Sequence, residues 1–407
     1  MISFGVCIAY LAITTIVGIV LNKRVGGSDS TKNFFVANKT LSPGMVMCLM
    51  FGEMIAGSST VGSATSAFGS GIASVWPNWG QAIGVIVFVI FVGKFFRQAS
   101  YYGAMSVPEA FEWRFDRKTR MVVLVIVMVV YGIMYALQPL AAASILAPML
   151  GCSTTFMVWI VIAVFCCMAL VGIKGIAGMN VIHAVVMYGG MGLVTFLAIR
   201  NAGGISEMKA ALPESYFDLS YPSTSTMLGN ALGSCCGFVL SSTLVNNYYS
   251  SKSLKTARNG VTMAAIAVIL FALMPALIGI AGQVIMPDAK AGTILYTLAS
   301  SFSPVVGGIA GMAILAAVFS TAPAFLLTLS TTMTRDFYKI MKPDATDRQQ
   351  LIFSKVCIVA IAVIAGGLGL NMGSILNNLL GAFQIRGVAG MVLIVSLLWK
   401  RLTNKAA

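Results

Sequence analysis

Apolar runs of about 20 residues recur along the whole chain, separated by shorter polar stretches. A helix of that length crosses the hydrocarbon core of a bilayer with its backbone groups satisfied internally. The pattern predicts an all-α polytopic membrane protein with eleven transmembrane spans. These spans cover residues 2–21, 43–75, 79–98, 120–148, 154–171, 176–199, 225–249, 259–286, 304–335, 350–370 and 374–399.

Residues 1–21 are apolar but have no basic start and no small-residue cleavage site. They are therefore predicted to be a first span rather than a removed signal peptide. The chain is 58% hydrophobic and only 9% charged, which excludes an ordinary soluble domain. The eight cysteines lie mostly in apolar runs without metal-type spacing, and the one histidine, His183, has no ligand partner in the sequence.

The net charge of +14 is distributed unevenly between the loops. Alternate loops on one side contain 22 Lys and Arg against 7 Asp and Glu, and the opposite loops contain 3 against 4. The positive-inside rule places the basic side in the cytoplasm, with the N-terminus outside and the C-terminus inside. The basic balance thus indicates topology in a cell inner (plasma) membrane, and no nucleic-acid partner is expected.

Two predicted spans are interrupted by glycines and hydroxyls: the second at residues 51–63 and the seventh at residues 229–237. Such clusters serve close helix packing or break a helix, and Gly costs a helix about 1 kcal/mol against Ala. Two interrupted spans five apart are typical of an inverted repeat of five helices. We therefore predict one transmembrane domain over 1–407, with an extra helix at 2–21 and repeats at 43–199 and 225–399.

The ninth predicted span carries two adjacent hydroxyls, Ser320 and Thr321, shortly before Pro323. Single hydroxyls in membrane helices usually bond their own backbone or serve packing. Proline displaces a carbonyl about four residues earlier, here near Phe319. A freed carbonyl and two hydroxyls can form part of an oxygen cage for a small cation.

Several segments resemble the sodium/solute symporter family, in order and with matching spacing of the spans. They are Val107–Phe115, Leu244–Ser253 followed by Ala257 and Arg258, Ala316–Tyr338, and Leu398–Arg401. The resemblance implies a LeuT-type fold, with a 5+5 inverted repeat whose first and sixth core helices are broken. It also implies sodium-driven symport by alternating access.

The resemblance further implies a sodium site between the broken second span and the ninth. Its ligands would be the carbonyls of Gly52, Ile55 and Ala317 with the hydroxyls of Ser320 and Thr321. Some members use an acid in the sixth span for a second sodium, and Asn180 stands at that place here. We therefore expect one coupling ion. At the neighbouring family Gln position stands His183, either as a packed or cytoplasm-facing residue or in a proton role.

Glu53 and Arg386 are the two charges inside predicted spans, where a charge costs roughly 2.5–3.5 kcal/mol. Glu53 has several possible roles: pairing with Arg386, holding a substrate amine, strengthening the field for Na⁺, or facing a wet vestibule. Arg386 either snorkels, pairs structurally or meets a substrate carboxylate. If both line the cavity, a zwitterion or small carboxylate fits better than a sugar.

Further candidate substrate-binding residues are Ser58, Ser59 and Gln138, with aromatic rings that close the cavity or simply pack in the core. Those rings are Tyr131, Tyr135 and Phe238.

We predict a sodium-coupled carrier of a small organic solute in a lipid bilayer, and not an enzyme. One histidine cannot supply a catalytic triad or a metal cluster. A proton-coupled or uncoupled carrier and a solute-sensing membrane module remain alternatives.

Overall fold

The computed structural model of the protein describes residues 30–372 and 375–399, together with residues 5, 9–10, 12–18 and 20. Within these residues the secondary structure is helical throughout, and one isolated parallel bridge joins Leu41 to Ser251. The predicted all-α fold is confirmed. Of the 20 residues of the predicted first span, 2–21, eleven are described and all of these are helical, and the other nine lie outside the described residues.

Eighteen α-helices are numbered here from residue 31 onwards. They are α1 (Thr31–Val36), α2 (Pro43–Met54), α3 (Ser63–Ser70), α4 (Trp76–Val87), α5 (Gly93–Tyr101), α6 (Val107–Arg114), α7 (Arg117–Leu150), α8 (Thr154–Ala169), α9 (Gly172–Asn201), α10 (Ile205–Ala211), α11 (Thr224–Val239), α12 (Ser242–Ser250), α13 (Leu254–Ile285), α14 (Ile294–Phe302), α15 (Pro304–Thr332), α16 (Lys339–Met341), α17 (Asp347–Gly369) and α18 (Ile375–Leu398).

In the described part of the chain, seven helical stretches are long and apolar enough to cross a membrane, and the bent pair α11–α12 makes an eighth. The predicted count of eleven spans is not confirmed by length and composition. The broken second span contributes only the short helix α2 before its break, and α8 is also short. One stretch, Ser58–Tyr101, joins the rest of the second span to the third through a 3₁₀ turn at Gly71–Val75.

The predicted break in the second span is confirmed. The seventh span is also broken, but at Leu240 and Ser241 and not at residues 229–237, which are helical. Helix α2 ends at Met54, Ile55 is extended (φ −102°, ψ 95°), and a π-helical turn begins at Ser58. Helix α11 ends at Val239, and the chain bends by 41° before α12. At the second break Ser241 is extended, and its side chain caps α12 by accepting from the Leu244 N–H.

Helix α15 lies at the centre of the protein, with every residue from Ala313 to Thr332 buried. It remains helical through Pro323. Glycines allow the backbones of α4 and α11 to come into direct contact. A Cβ at Gly80 or Gly84 of α4 would lie 2.4 or 2.3 Å from a carbonyl oxygen of α11, so no side chain fits between these helices. The division into repeats at 43–199 and 225–399 stays a prediction.

Candidate ion and solute site

The break in the second span meets the hydroxyl pair of α15. The Thr321 hydroxyl donates to the Gly52 carbonyl at 2.6 Å and lies 2.8 Å from the Ala317 carbonyl. The Ser320 hydroxyl lies 3.2 and 2.9 Å from the same two oxygens. Four of the five predicted cation ligands therefore form one cluster of oxygens, which we call the oxygen cage. The helix carbonyl in it belongs to Ala317, not to Phe319 as the position of Pro323 suggested.

The cage is buried and uncharged. Ser320, Thr321 and Ala317 have no exposed surface, and Gly52 is buried. Carbonyl and hydroxyl oxygens are hard donors of the kind that hard cations prefer. Each hydroxyl carries one proton and must turn its lone pairs inward to coordinate an ion. The donor set therefore fits a monovalent cation that is bound weakly and released readily.

Ile55 and Asn180 border the cage differently. Ile55 is fully buried at the break, and among the described hydrogen bonds its carbonyl meets neither hydroxyl of the cage. Asn180 on α9 donates from Nδ2 to the Ser320 carbonyl at 3.2 Å. Its amide also lies against Gly52, where a Cβ would come within 2.6 Å of Nδ2. Asn180 thus lies against both sides of the cage and is hydrogen-bonded to one of them.

Glu53 and Arg386 are both buried and compensate each other's charge. Arg386 Nη1 lies 3.6 Å from Glu53 Oε1, and the guanidinium also donates to the Tyr131 hydroxyl and the Gly237 carbonyl. Glu53 accepts from Tyr131 at 3.1 Å and from Ser241 at 2.6 and 2.8 Å. Pairing with Arg386 is therefore the alternative that the structure adopts for Glu53.

This network joins the two breaks. Glu53 stands next to the cage residue Gly52, and Ser241 stands in the break of the seventh span. Phe238 packs its ring 4.7 Å from the Arg386 guanidinium, which is a cation–π contact. The sequence identified the two charges but not Ser241, because partners 188 residues apart leave no local signal.

A small polar cavity of about 90 Å³ opens beside the first break. It contains the predicted residues Ser58 and Ser59, whereas Glu53 and Arg386 do not line it. Its complete lining is Ser58, Ser59, Gly62, Ser63, Ser66, Ser74, Pro77, Asn78, Gln81, Asn230 and Phe383. No lining residue is charged. A zwitterion or small carboxylate was expected to fit better than a sugar if both charges line the cavity, and this condition is not met here.

Two buried acceptors of this cavity have no protein partner in the described structure: Gln81 Oε1 and Ser74 Oγ. Asn78 is anchored by its Nδ2, which donates to Ser63 Oγ at 3.2 Å. Sequence analysis did not select Asn78 and Gln81. The signal was available, because two amides three residues apart in an apolar span lie on one helix face.

The remaining candidates are buried away from this cavity. Gln138 donates to the Met134 carbonyl of its own helix, and its Oε1 has no partner in the described structure. Tyr135 packs edge-on against Phe165. His183 is packed, with its Nδ1 bonded to the Tyr10 hydroxyl.

A second charged cluster lies on the side predicted to be cytoplasmic. Arg120 on α7 pairs with the fully buried Asp336 at 2.8 Å and with Glu112. Arg335 pairs with Glu109 at 2.9 Å. These pairs tie α6 and α7 to the helical turn that follows the central helix.

Residues 34–407 match the family model described as "Sodium:solute symporter family". The "Sodium/glucose cotransporter" of Vibrio parahaemolyticus is 24% identical over 98% of this chain and 81% of its own length. The "Sodium/proline symporter" of Escherichia coli strain K12 is 24% identical over 93% of this chain and 80% of its own.

Among solved structures, a Na⁺-coupled sialic acid symporter in a substrate-bound outward-open state superposes with a TM-score of 0.85. It is 19% identical and covers all of this chain and 88% of its own. MhsT in complex with L-phenylalanine superposes with a TM-score of 0.63, at 15% identity, over 89% of this chain and 90% of its own. These likenesses show the LeuT-type fold.

Proposed function

Because the chain belongs to the sodium:solute symporter family, we propose that it carries a small solute without net charge across the membrane together with one Na⁺. The family consists of secondary transporters, not enzymes. The observation that carries the proposal is the meeting of an interrupted helix with a hydroxyl pair in the oxygen cage. Broken membrane helices expose carbonyls where transporters of this architecture bind ions and solutes.

We assign Na⁺ to the oxygen cage, with Gly52, Ala317, Ser320 and Thr321 as ligands and Ile55 as a fifth that completes the shell. One ion is proposed because Asn180 supplies a neutral amide beside the cage. No group of three or more His, Cys, Asp or Glu side chains that could hold a metal occurs in the described part of the chain. A weak site of neutral oxygens suits an ion that must be released on each cycle.

We place the solute in the polar cavity beside the break. Its lining offers hydroxyls and amides, and the unpartnered acceptors of Gln81 and Ser74 call for donors on the ligand. Uncharged walls favour a solute without net charge, since an unpaired buried charge is costly. Of the solutes named for the two relatives, glucose carries no charge, whereas proline has no net charge but is a zwitterion whose two charged groups these walls would leave unpaired. We further propose that Phe238 stabilises the wall through its contact with Phe383, that Gln138 acts within its own helix, and that Glu53 and Arg386 join the two breaks.

The ion assignment is tested without knowledge of the solute. Tryptophan fluorescence and thermal unfolding of the purified protein are followed in NaCl, KCl and choline chloride at equal ionic strength. A saturable shift specific to Na⁺ is expected, and Ser320→Ala/Thr321→Ala should abolish it. The matched control is Ser330→Ala/Thr331→Ala, which removes the same two groups from the same helix outside the cage.

A wild-type response that does not distinguish Na⁺ from K⁺ would remove the sodium assignment and favour a proton-coupled or uncoupled carrier. Retention of the Na⁺ response in the cage variant would remove the proposed ligands. Uptake into proteoliposomes under a sodium gradient then tests the solute, with glucose and proline as first probes. Gln81→Ala should weaken uptake more than it weakens the response to Na⁺.

A further inference from the structure

A second cavity, of about 280 Å³, lies on the side predicted to be cytoplasmic, away from the transport site. It is formed by the chain before α2 and the chain around the end of α5. Its lining is Lys32, Val36, Asn38, Lys39, Ser100, Tyr101, Gly103, Ala104 and Met105. The lining thus contains two lysines and no carboxylate. Glu109 reaches it from outside, where it accepts from the Met105 N–H at 2.7 Å and is paired with Arg335.

Positive charge is concentrated at this cavity. Lys39 donates to the Ser100 carbonyl at 3.1 Å and lies 5.2 Å from the Tyr101 ring. The guanidinium of Arg97 lies 5.3 Å from the same ring. Burial and then the charge of Arg97 lower the pKa of Lys39. An anion bound here would offset the repulsion between these positive charges.

The cavity also contains a buried donor without a protein partner. The Ser100 side chain is 5% exposed, and its Oγ has no hydrogen-bond partner in the described structure. Buried hydroxyls are rarely left unpaired in native proteins, and each such group calls for an unseen partner. A ligand with acceptor oxygens, placed among two lysines and this hydroxyl, would satisfy all of them.

Aromatic side chains indicate the depth of the cavity in the membrane. Tyr101 and Tyr102 are 69% and 76% exposed, and Trp113 stacks on Tyr102. Exposed Tyr and Trp are enriched at the level of the lipid head groups. Basic pockets beside membrane helices on the cytoplasmic side are suited to anionic lipid head groups.

We propose that this cavity binds a phosphate anion, carried by the head group of an anionic phospholipid. Lys32 and Lys39 contact the phosphate and Ser100 donates to it. Lys39 of the cavity lies two residues before Leu41, which forms the bridge to Ser251, and Arg97 donates to the Ser251 carbonyl at 3.0 Å. An occupied site would therefore support the packing of the segment that follows α12.

The test uses the full chain in nanodiscs of phosphatidylcholine alone or mixed with phosphatidylglycerol. Bound lipid is measured by native mass spectrometry and stability by thermal unfolding. The wild type should retain phosphatidylglycerol selectively and unfold at a higher temperature in its presence. Lys32→Gln/Lys39→Gln should lower that retention by about fivefold for each lysine removed.

The matched control is Lys255→Gln/Lys342→Gln, which removes two exposed lysines from the same predicted side. It should retain the lipid as the wild type does. If the double variant does not fold, Lys32→Gln alone and Ser100→Ala carry the test. Equal retention by the cavity variants, the control and the wild type would overturn the proposal.

A separate arm adds inorganic phosphate to the protein in detergent. Stabilisation by phosphate that needs the two lysines, without selective lipid retention, would identify a free anion as the source. Neither readout depends on Na⁺ or on solute uptake. A failure of the lipid site is therefore distinguishable from a failure of the transport function.

Discussion

Gly52→Ala is the substitution for which the structure makes the sharpest prediction. Gly52 lies near the end of α2, and its carbonyl is a proposed ligand of the cage. An added Cβ would lie 2.6 Å from Asn180 Nδ2 and 3.0 Å from Ser320 Cβ. The first distance is shorter than real Cβ contacts allow and the second is at their tight limit, so either the Asn180 amide must shift or α2 must move away from α9 and α15. Either movement disturbs the cage, because Asn180 donates to the Ser320 carbonyl and Gly52 supplies one of the cage oxygens.

The expected magnitudes follow from two opposing effects. Forcing one extra carbon into a packed core costs about 1–3 kcal/mol. Replacing glycine by alanine in a helix returns about 1 kcal/mol. The net loss of stability is therefore modest, on the order of 0–2 kcal/mol. The affinity for Na⁺ should fall at least about tenfold, because the displaced carbonyl is itself a proposed ligand of the ion.

Gly44→Ala is the matched control, because Gly44 lies on the same helix and a Cβ there meets nothing within 4 Å. The measurement is the Na⁺ concentration that gives half of the thermal or fluorescence shift. Gly44→Ala should leave it unchanged, and Gly52→Ala should raise it at least about tenfold. A Gly52→Ala protein that folds and binds Na⁺ like the control would refute the placement of this carbonyl in the cage.

Three further predictions concern the surrounding packing. Glu53→Gln should leave the charge of Arg386 buried and unpaired, at a cost of about 3–5 kcal/mol. The double variant Glu53→Gln/Arg386→Gln should recover much of the lost thermal stability, and a double variant as unstable as Glu53→Gln alone would argue against the pair. Gly80→Ala should lower the unfolding temperature clearly, whereas Gly132→Ala, which meets open space, should not. Asn180→Asp should tighten apparent Na⁺ binding about tenfold or more, because a carboxylate replaces an amide beside the cage; unchanged affinity in the fluorescence titration would contradict that role.

The broken helices were predictable because their cause is local. Glycines and hydroxyls inside an apolar span weaken the helix. The first break lies within such a cluster, whereas α11 continues through its cluster at residues 229–237 and breaks just after it. Ser320 and Thr321 could be selected for a similar reason, since two adjacent hydroxyls are unusual in an apolar helix. Their meeting with Gly52 came from resemblance and not from the pattern.

The partners of the buried charges were harder to predict. Glu53 and Arg386 are conspicuous in apolar spans, yet periodicity does not reveal which distant groups face them. Ser241 and Tyr131 complete the network through tertiary packing alone. Arg120 and Asp336 lie at the start of one predicted span and just after the end of another, where charged residues are expected, so the sequence did not single out their pairing.

The contact of α4 with α11 has a mechanical consequence. Helix α11 has 16 residues and is thus a lever about 24 Å long, with its pivot at the bend before α12. A swing of roughly 10° at the pivot displaces the far end by about 4 Å. Because Gly80 and Gly84 leave no side chain between the two backbones, α4 must travel with the lever. The cavity walls on α4 and α11 therefore keep their mutual spacing during such a swing. What changes is the distance between these two walls and the wall on α3.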